Sequence, residues 1–106
     1  MSSSDTVRTL NDQFRTRLIG GRVMMTRGIA GRPDSNAILK RVTQFDAFSP
    51  DNDPHGEHDF GSFDYGDDTI FWKIDYYDMD LQQGSPDPSD ETVTTRVLTI
   101  MLAEEY

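Results

Sequence analysis

One stretch of the chain gathers the residues best suited to chemistry. Residues 51–61 read DNDPHGEHDFG and hold both histidines, His55 and His58, among Asp51, Asp53, Glu57 and Asp59. Imidazole nitrogens beside carboxylates are the donor set of a divalent metal site or of acid–base catalysis. A metal site would take His55, His58 and Asp59, with Asp64 or Asp75 in reach as a further carboxylate. The spacing limits each chemistry. His-x-x-His in a loop offers two nitrogen ligands, and there is no cysteine to add a thiolate. The zinc-protease motif sets its two histidines four apart on a helix face, whereas Pro54 and Gly56 oppose a helix here. Asp51, Asp53, His55 and Gly56 fall in EF-hand order, but Ser62 stands where that loop needs a bidentate Glu. Ser49 and Ser62 flank the histidines without a Gly-x-Ser-x-Gly elbow, and no Gly-rich loop leads into a helix to cradle a phosphate. Asp, Asn, Pro and Gly at this density also build ordered turns. The expectation is an ordered acidic loop that helps form a binding face. No catalytic residue, metal or cofactor is assigned. A metal-dependent or acid–base hydrolase or nuclease centred on the loop is the alternative.

The elements that hold this loop follow from periodicity. In residues 4–18, Val7, Leu10, Phe14 and Leu18 share one helical face, and Gly20-Gly21 ends the helix. Residues 22–29 read as a strand and 28–33 as a turn. Residues 34–48 read as a second helix, with Asp34 as N-cap and Ile38, Val42 and Phe45 on one face. Segments 58–65 and 69–77 flank Gly66-Asp67-Asp68 as a hairpin. Its second strand turns Ile70, Trp72, Ile74 and Tyr76 toward the core. After the polar stretch 79–91, residues 90–104 read as a third, well-buried helix. The order α-β-α-β-β-α predicts a single α+β domain over 1–106: a small, mainly antiparallel three-stranded sheet packed by three helices.

The net charge of −9 is unevenly spread. Residues 1–42 hold eight basic residues and three acids, a net of +5, and residues 43–106 hold two basic residues and sixteen acids, a net of −14. The N-terminal stretch has no apolar run of signal-peptide length, and no segment approaches the roughly 18 apolar residues of a membrane span. A cytoplasmic protein without a membrane partner is expected.

NDPHGEHDFG (52–61), FWKIDYYD (71–78), GSPDP (84–88), VTTRVLTIML (93–102) and GGRVMMTRGI (20–29) together resemble an uncharacterised bacterial family, a domain of unknown function. The resemblance covers nearly the whole chain and implies carriage on plasmids and phage-like elements. It assigns no catalytic residue.

The charge pattern points to a protein partner. Asp51/Asp53, Glu57/Asp59 and Asp78/Asp80 recur at i, i+2, which puts like charges about 6.6 Å apart along an extended chain. A face built from these six with Asp64, Asp67, Asp68 and Asp75, and with Tyr65 and Tyr77 as aromatic anchors, can occupy a groove shaped for nucleic-acid phosphates. The expected function is a mobile-element inhibitor of DNA-mimic or anti-CRISPR type that blocks a nucleic-acid-binding complex. Direct binding to nucleic acid is opposed by the net acidity. Oligomeric state is left open.

Overall fold

The computed structural model describes residues 3–106. Helix α1 spans Ser3–Arg17 and buries Val7 and Phe14, with Leu10 and Leu18 half-buried, as its periodicity predicts. Leu18, at φ 57, and Gly20, at φ 102, leave the helix in the left-handed region and turn the chain into β1 (Gly21–Met25). The strand expected over 22–29 is cut short. Met25 ends it, and Arg27–Ala30 form a short helix, α2, around the fully buried Ile29. Helix α3 (Ser35–Thr43) also stops earlier than its apolar stripe implies. The chain then turns irregularly, so that Phe45 and Phe48 meet the edges of the Trp72 ring at 5.5 and 6.1 Å between centroids.

The expected hairpin is present as β2 (Phe60–Tyr65) and β3 (Asp68–Tyr77). Tyr65 pairs with Asp68 across a two-residue turn. Gly66, with φ 62, takes its first place, and Asp67 has no positive φ. That is the type II′ geometry, which matches the twist of the flanking strands and favours glycine at that position.

The third predicted helix is a strand. Residues Thr95–Leu102 form β4, and the only helical turns nearby are short 3₁₀ segments at Glu91–Val93 and Ala103–Glu105. Two signals compete in VTTRVLTIML. Its apolar residues are dense enough to give a wide helical surface, yet six of its ten residues are β-branched, and Thr94, Arg96, Leu98 and Ile100 are buried alternately. A strand covered on both faces reads as a continuous apolar run. β4 lies inside a four-stranded mixed sheet of order β1-β4-β3-β2, parallel to β1 and antiparallel to β3. The sheet therefore has one strand more than expected and one parallel pair.

The helices cover one face of this sheet. Phe14, Ile29, Ile38 and Val42 pack there against Ile70, Trp72, Ile74, Leu98 and Ile100. Gly61 sits beneath the Trp72 indole, where a β-carbon would overlap the ring. By the pairing register the opposite face carries Arg22 and Met24 of β1, Val97, Thr99 and Met101 of β4, and Phe71, Lys73, Asp75 and Tyr77 of β3. Phe60 of β2 joins Phe71 and Tyr106 there in an edge-to-face cluster with centroids 5.3–6.2 Å apart.

Candidate functional site

The loop at 49–59 has a defined shape. Ser49 N donates to Asn52 Oδ1 at 2.9 Å and Asn52 Nδ2 to the Ala47 carbonyl at 3.0 Å. Asp53 N donates to the Ser49 carbonyl at 2.8 Å and Gly56 N to the Asp53 carbonyl at 3.1 Å. The Asp53 carboxylate, only 6% exposed, accepts the His58 amide at 3.3 Å, and His58 stands at φ 53. Asp, Asn and Gly supply the local bonds and the positive φ that such a turn requires.

Helix α1 clamps the loop from one side. Arg8 Nη1 donates to the Gly56 carbonyl at 3.1 Å and Asn11 Nδ2 to the Glu57 carbonyl at 2.9 Å. His58 Nδ1 lies 2.9 Å from Asp12 Oδ1, and His58 Nε2 lies 3.6 Å from Asp53. Both imidazole nitrogens thus face carboxylates, and the ring lies flat on Phe48 at 3.7 Å and 4°. Beneath this, Arg15 Nη1 donates to the Val42 carbonyl at 2.8 Å, and its guanidinium lies 4.9 Å from the Trp72 ring. Burial pulls the Arg15 pKa down against the opposing charge of Asp12.

A buried polar chain ties the loop to the sheet. Asn11, with no exposed surface, donates to the Tyr76 hydroxyl at 2.8 Å and accepts Arg96 Nε at 2.8 Å. Arg96 Nη2 also donates to the Pro88 carbonyl, which anchors the polar connection before β4. Burial raises the Tyr76 pKa and lowers that of Arg96. The Tyr76 hydroxyl reaches Glu57 Oε1 at 3.5 Å. Glu57 is raised by burial and then by the charge of Asp59. Asp59 is raised by burial, with Asp53 and Asp75 adding to it.

The residues expected to form one acidic face fall into two groups. Asp53, Glu57, Asp59 and Asp75 meet at one end of the sheet, with Asp53 turned inward and Asp75 paired to Lys73 at 2.9 Å. Asp51 is exposed on the loop, and Asp78 and Asp80 follow β3 at the same end, where Asp78 accepts Gln82 N at 3.0 Å. Asp64, Asp67 and Asp68 lie at the hairpin end, where Asp64 accepts the Thr69 hydroxyl at 3.0 Å and Asp68 pairs with Arg32 at 2.6 Å. At their nearest the groups stand five residues apart along the strand direction, Asp59 opposite Ile74 and Asp64 opposite Thr69, a span of about 17 Å. The pleat parts the tyrosines too: Tyr77 faces away from the helices, and Tyr65 lies on the helix side near Arg41 at 5.9 Å.

Of the proposed metal ligands, His58 is committed to Asp12 and Asp53 while His55 points outward. Among the described residues no three His, Asp or Glu side chains are grouped to hold a metal ion. Sequence reasoning missed Asn11, Asp12, Arg15 and Arg96. The signal for Asn11 was present, because it stands four residues after Val7 and three before Phe14, inside the apolar stripe of α1.

A family described as protein of unknown function (DUF3768) matches residues 25–105, a stretch that leaves out α1 and nearly all of β1. No curated protein and no solved structure matches the chain.

Proposed function

Because the chain belongs to the DUF3768 family, which carries no assigned activity, its own surface must suggest a role, and we propose a small acidic protein-interaction module. It binds the cationic surface of a nucleic-acid-binding protein complex and acts as a mobile-element inhibitor of the DNA-mimic or anti-CRISPR kind.

One observation carries this reading: the basic third does not neutralise the acidic remainder. Arg8 pairs with Asp5 and Arg15 with Asp12, both inside α1. Arg32 to Asp68 is the one Arg–carboxylate salt bridge between residues 1–42 and 43–106 among the described residues. Asp46, Asp51, Glu57, Asp59, Asp64, Asp67, Asp78 and Asp80 form no salt bridge there. A partner's lysines and arginines meet the exposed ones among them, Asp46, Asp51, Asp64, Asp67 and Asp80, without breaking an internal salt bridge, and the negative potential steers the encounter.

The test is capture of the partner from host extract at rising salt. Electrostatic binding should weaken steeply with ionic strength. Reversal of Asp67, Asp78 and Asp80 to Lys should abolish capture, and His55→Ala should leave it intact. The opposite pattern would discard the acidic surface as the binding element.

An open hollow of about 410 Å³ lined by Phe48, Ser49, Asp53, Pro54, His55 and His58 favours a second role, the loop-centred hydrolase or nuclease. That role requires His55→Ala to remove a measured activity on phosphodiester or ester substrates.

A further inference from the structure

The free edge of β2 has the form of a docking strand. Ile74 N donates to the Asp59 carbonyl at 2.8 Å. In an antiparallel ladder, bonded pairs recur at every second residue. Gly61, Phe63 and Tyr65 therefore bond to Trp72, Ile70 and Asp68 of β3. The N–H and C=O groups of Phe60, Ser62 and Asp64 point the other way, away from the sheet. β2 ends the sheet order, so among the described residues no strand meets them.

Natural sheets blunt such an edge with Pro, Lys, a bulge or a covering segment. The sequence FGSFDY has neither Pro nor Lys, and its pairing with β3 runs without a bulge from Phe60 to Tyr65. Instead of covering the edge, the segment after α3 stands off from it. The space between is a cleft of about 350 Å³ lined by Arg41, Phe45, Asp46, Ala47 and Phe63. The cleft itself holds one cation and one anion, Arg41, whose guanidinium lies 4.7 Å from the Phe63 ring centre, and Asp46. The other face of the edge carries Asp64, and neither acid forms a salt bridge among the described residues.

We propose that an extended, basic segment of the partner protein adds to this edge as a fifth strand. Its main chain takes the hydrogen bonds offered by Phe60, Ser62 and Asp64. Side chains on the helix side fall into the cleft against Phe45, Ala47 and Phe63 and are apolar. Those on the other side lie near Asp64 and are Lys or Arg. Main-chain bonds supply affinity and the alternating side chains supply selection, as in other strand additions. This deepens the acidic-surface reading and rests on it for the charge of the partner. The β1 edge suits the same partner less well, because Arg22 lies on it and Arg27 follows it.

The probe is a capped octapeptide of alternating Lys and Val, with the Glu-Val octapeptide as control, added to the ¹⁵N-labelled full chain. Binding of the Lys-Val peptide should slow amide exchange at Ser62 and Asp64, whose N–H groups point outward. Gly61 and Phe63, already bonded to β3, should change little. The Glu-Val peptide should bind more weakly. Ser62→Pro removes one outward N–H where an edge strand tolerates Pro, and should weaken binding by about tenfold or more. The exchange pattern in the natural sequence decides the matter even if that variant fails to fold. Absence of binding, equal binding of both peptides, or protection spread over Phe71 and Tyr77 instead of β2 would overturn the proposal. So would protection at Ser62 that appears without peptide and grows with protein concentration, since the occupant is then a second copy of this chain. Partner capture that survives Ser62→Pro but is lost on Asp78→Lys with Asp80→Lys would remove the edge and leave the acidic-surface reading standing.

Discussion

Asn11→Ala should be among the most damaging single changes outside the apolar core. The side chain is fully buried and makes three hydrogen bonds: to the Glu57 carbonyl, to the Tyr76 hydroxyl and from Arg96 Nε. Two neutral bonds contribute about 0.5–1.5 kcal/mol each, and a buried charged donor left without an acceptor costs about 1–3 kcal/mol more. The expected loss is about 3–4 kcal/mol, a large part of the ~5–15 kcal/mol that holds a domain of this size together. In urea, where stability falls by about 1–3 kcal/mol per molar, the midpoint should drop by roughly 2 M. Amide exchange of Gly56 to His58 should accelerate more than that of β4, because the loop loses its tether to α1. Asn11→Asp keeps an acceptor for Arg96 but no donor for Glu57 or Tyr76, so it should fall between Ala and the natural residue. A cost below about 0.5 kcal/mol for Asn11→Ala, the level of an ordinary surface change, with unchanged loop exchange would refute the idea that this residue joins helix, loop and sheet.

Gly61→Ala should destabilise by about 1–3 kcal/mol, the usual penalty for forcing extra volume into a packed site, because the new methyl overlaps Trp72; an unchanged melting temperature would mean the indole lies elsewhere. Asp59 binds its proton more tightly in the folded state than when unfolded, chiefly through burial. Its stabilising contribution is therefore present in acid and lost as pH rises through the raised folded-state value. Asp59→Asn should raise the urea midpoint at neutral pH and change it little in acid, and an equal shift at both would contradict the assignment. Glu105 accepts Thr26 Oγ1 at 2.5 Å and the amides of Gly28 and Leu102 at 2.9 Å, and its pKa is lowered, first by the Thr26 bond. Its contribution holds above the unfolded carboxylate pKa and fades as pH falls through the folded value. Glu105→Ala should speed exchange at Gly28 and Leu102 near neutral pH, and no change there would remove the carboxylate from this corner.

Helices α1 and α3 and the hairpin were legible because their signals are local. The apolar stripes of α1 and α3 and the glycine turn of the hairpin each announce one element within a short window, while Asp34 starts α3 by position only, its carboxylate being held by Arg32. β4 was not legible, since its run of apolar and β-branched residues suits a buried helix and a buried strand alike. Pairing with Gly21–Met25 on one side and with Ile70–Tyr77 on the other, both distant in sequence, settles it. The acidic loop was read correctly as an ordered turn from its Asp, Asn, Pro and Gly content. What holds it was legible only in part: Asn11 stands inside the apolar stripe of α1, but Asp12 reads as the polar side of a helix until the loop is seen lying against it. The division of the acids into two groups was also out of reach. Spacing of i, i+2 orders charges along one strand but does not say which ends of a sheet they occupy.

The position of β4 bears on how the chain reaches this structure. It is the last strand in sequence and an inner one in space, flanked by β1 from the start of the chain and by β3. Until residues 95–102 leave the ribosome, β1 has no partner on either side and β3 is paired only with β2. The sheet thus closes late and through contacts distant in sequence, the kind that slow folding. Meanwhile the apolar edges of β1 and β3 stand open, as they do in aggregation-prone intermediates. A chain cut before Thr95 is for this reason not a smaller version of the domain, because it lacks the strand that joins β1 to the β2–β3 hairpin.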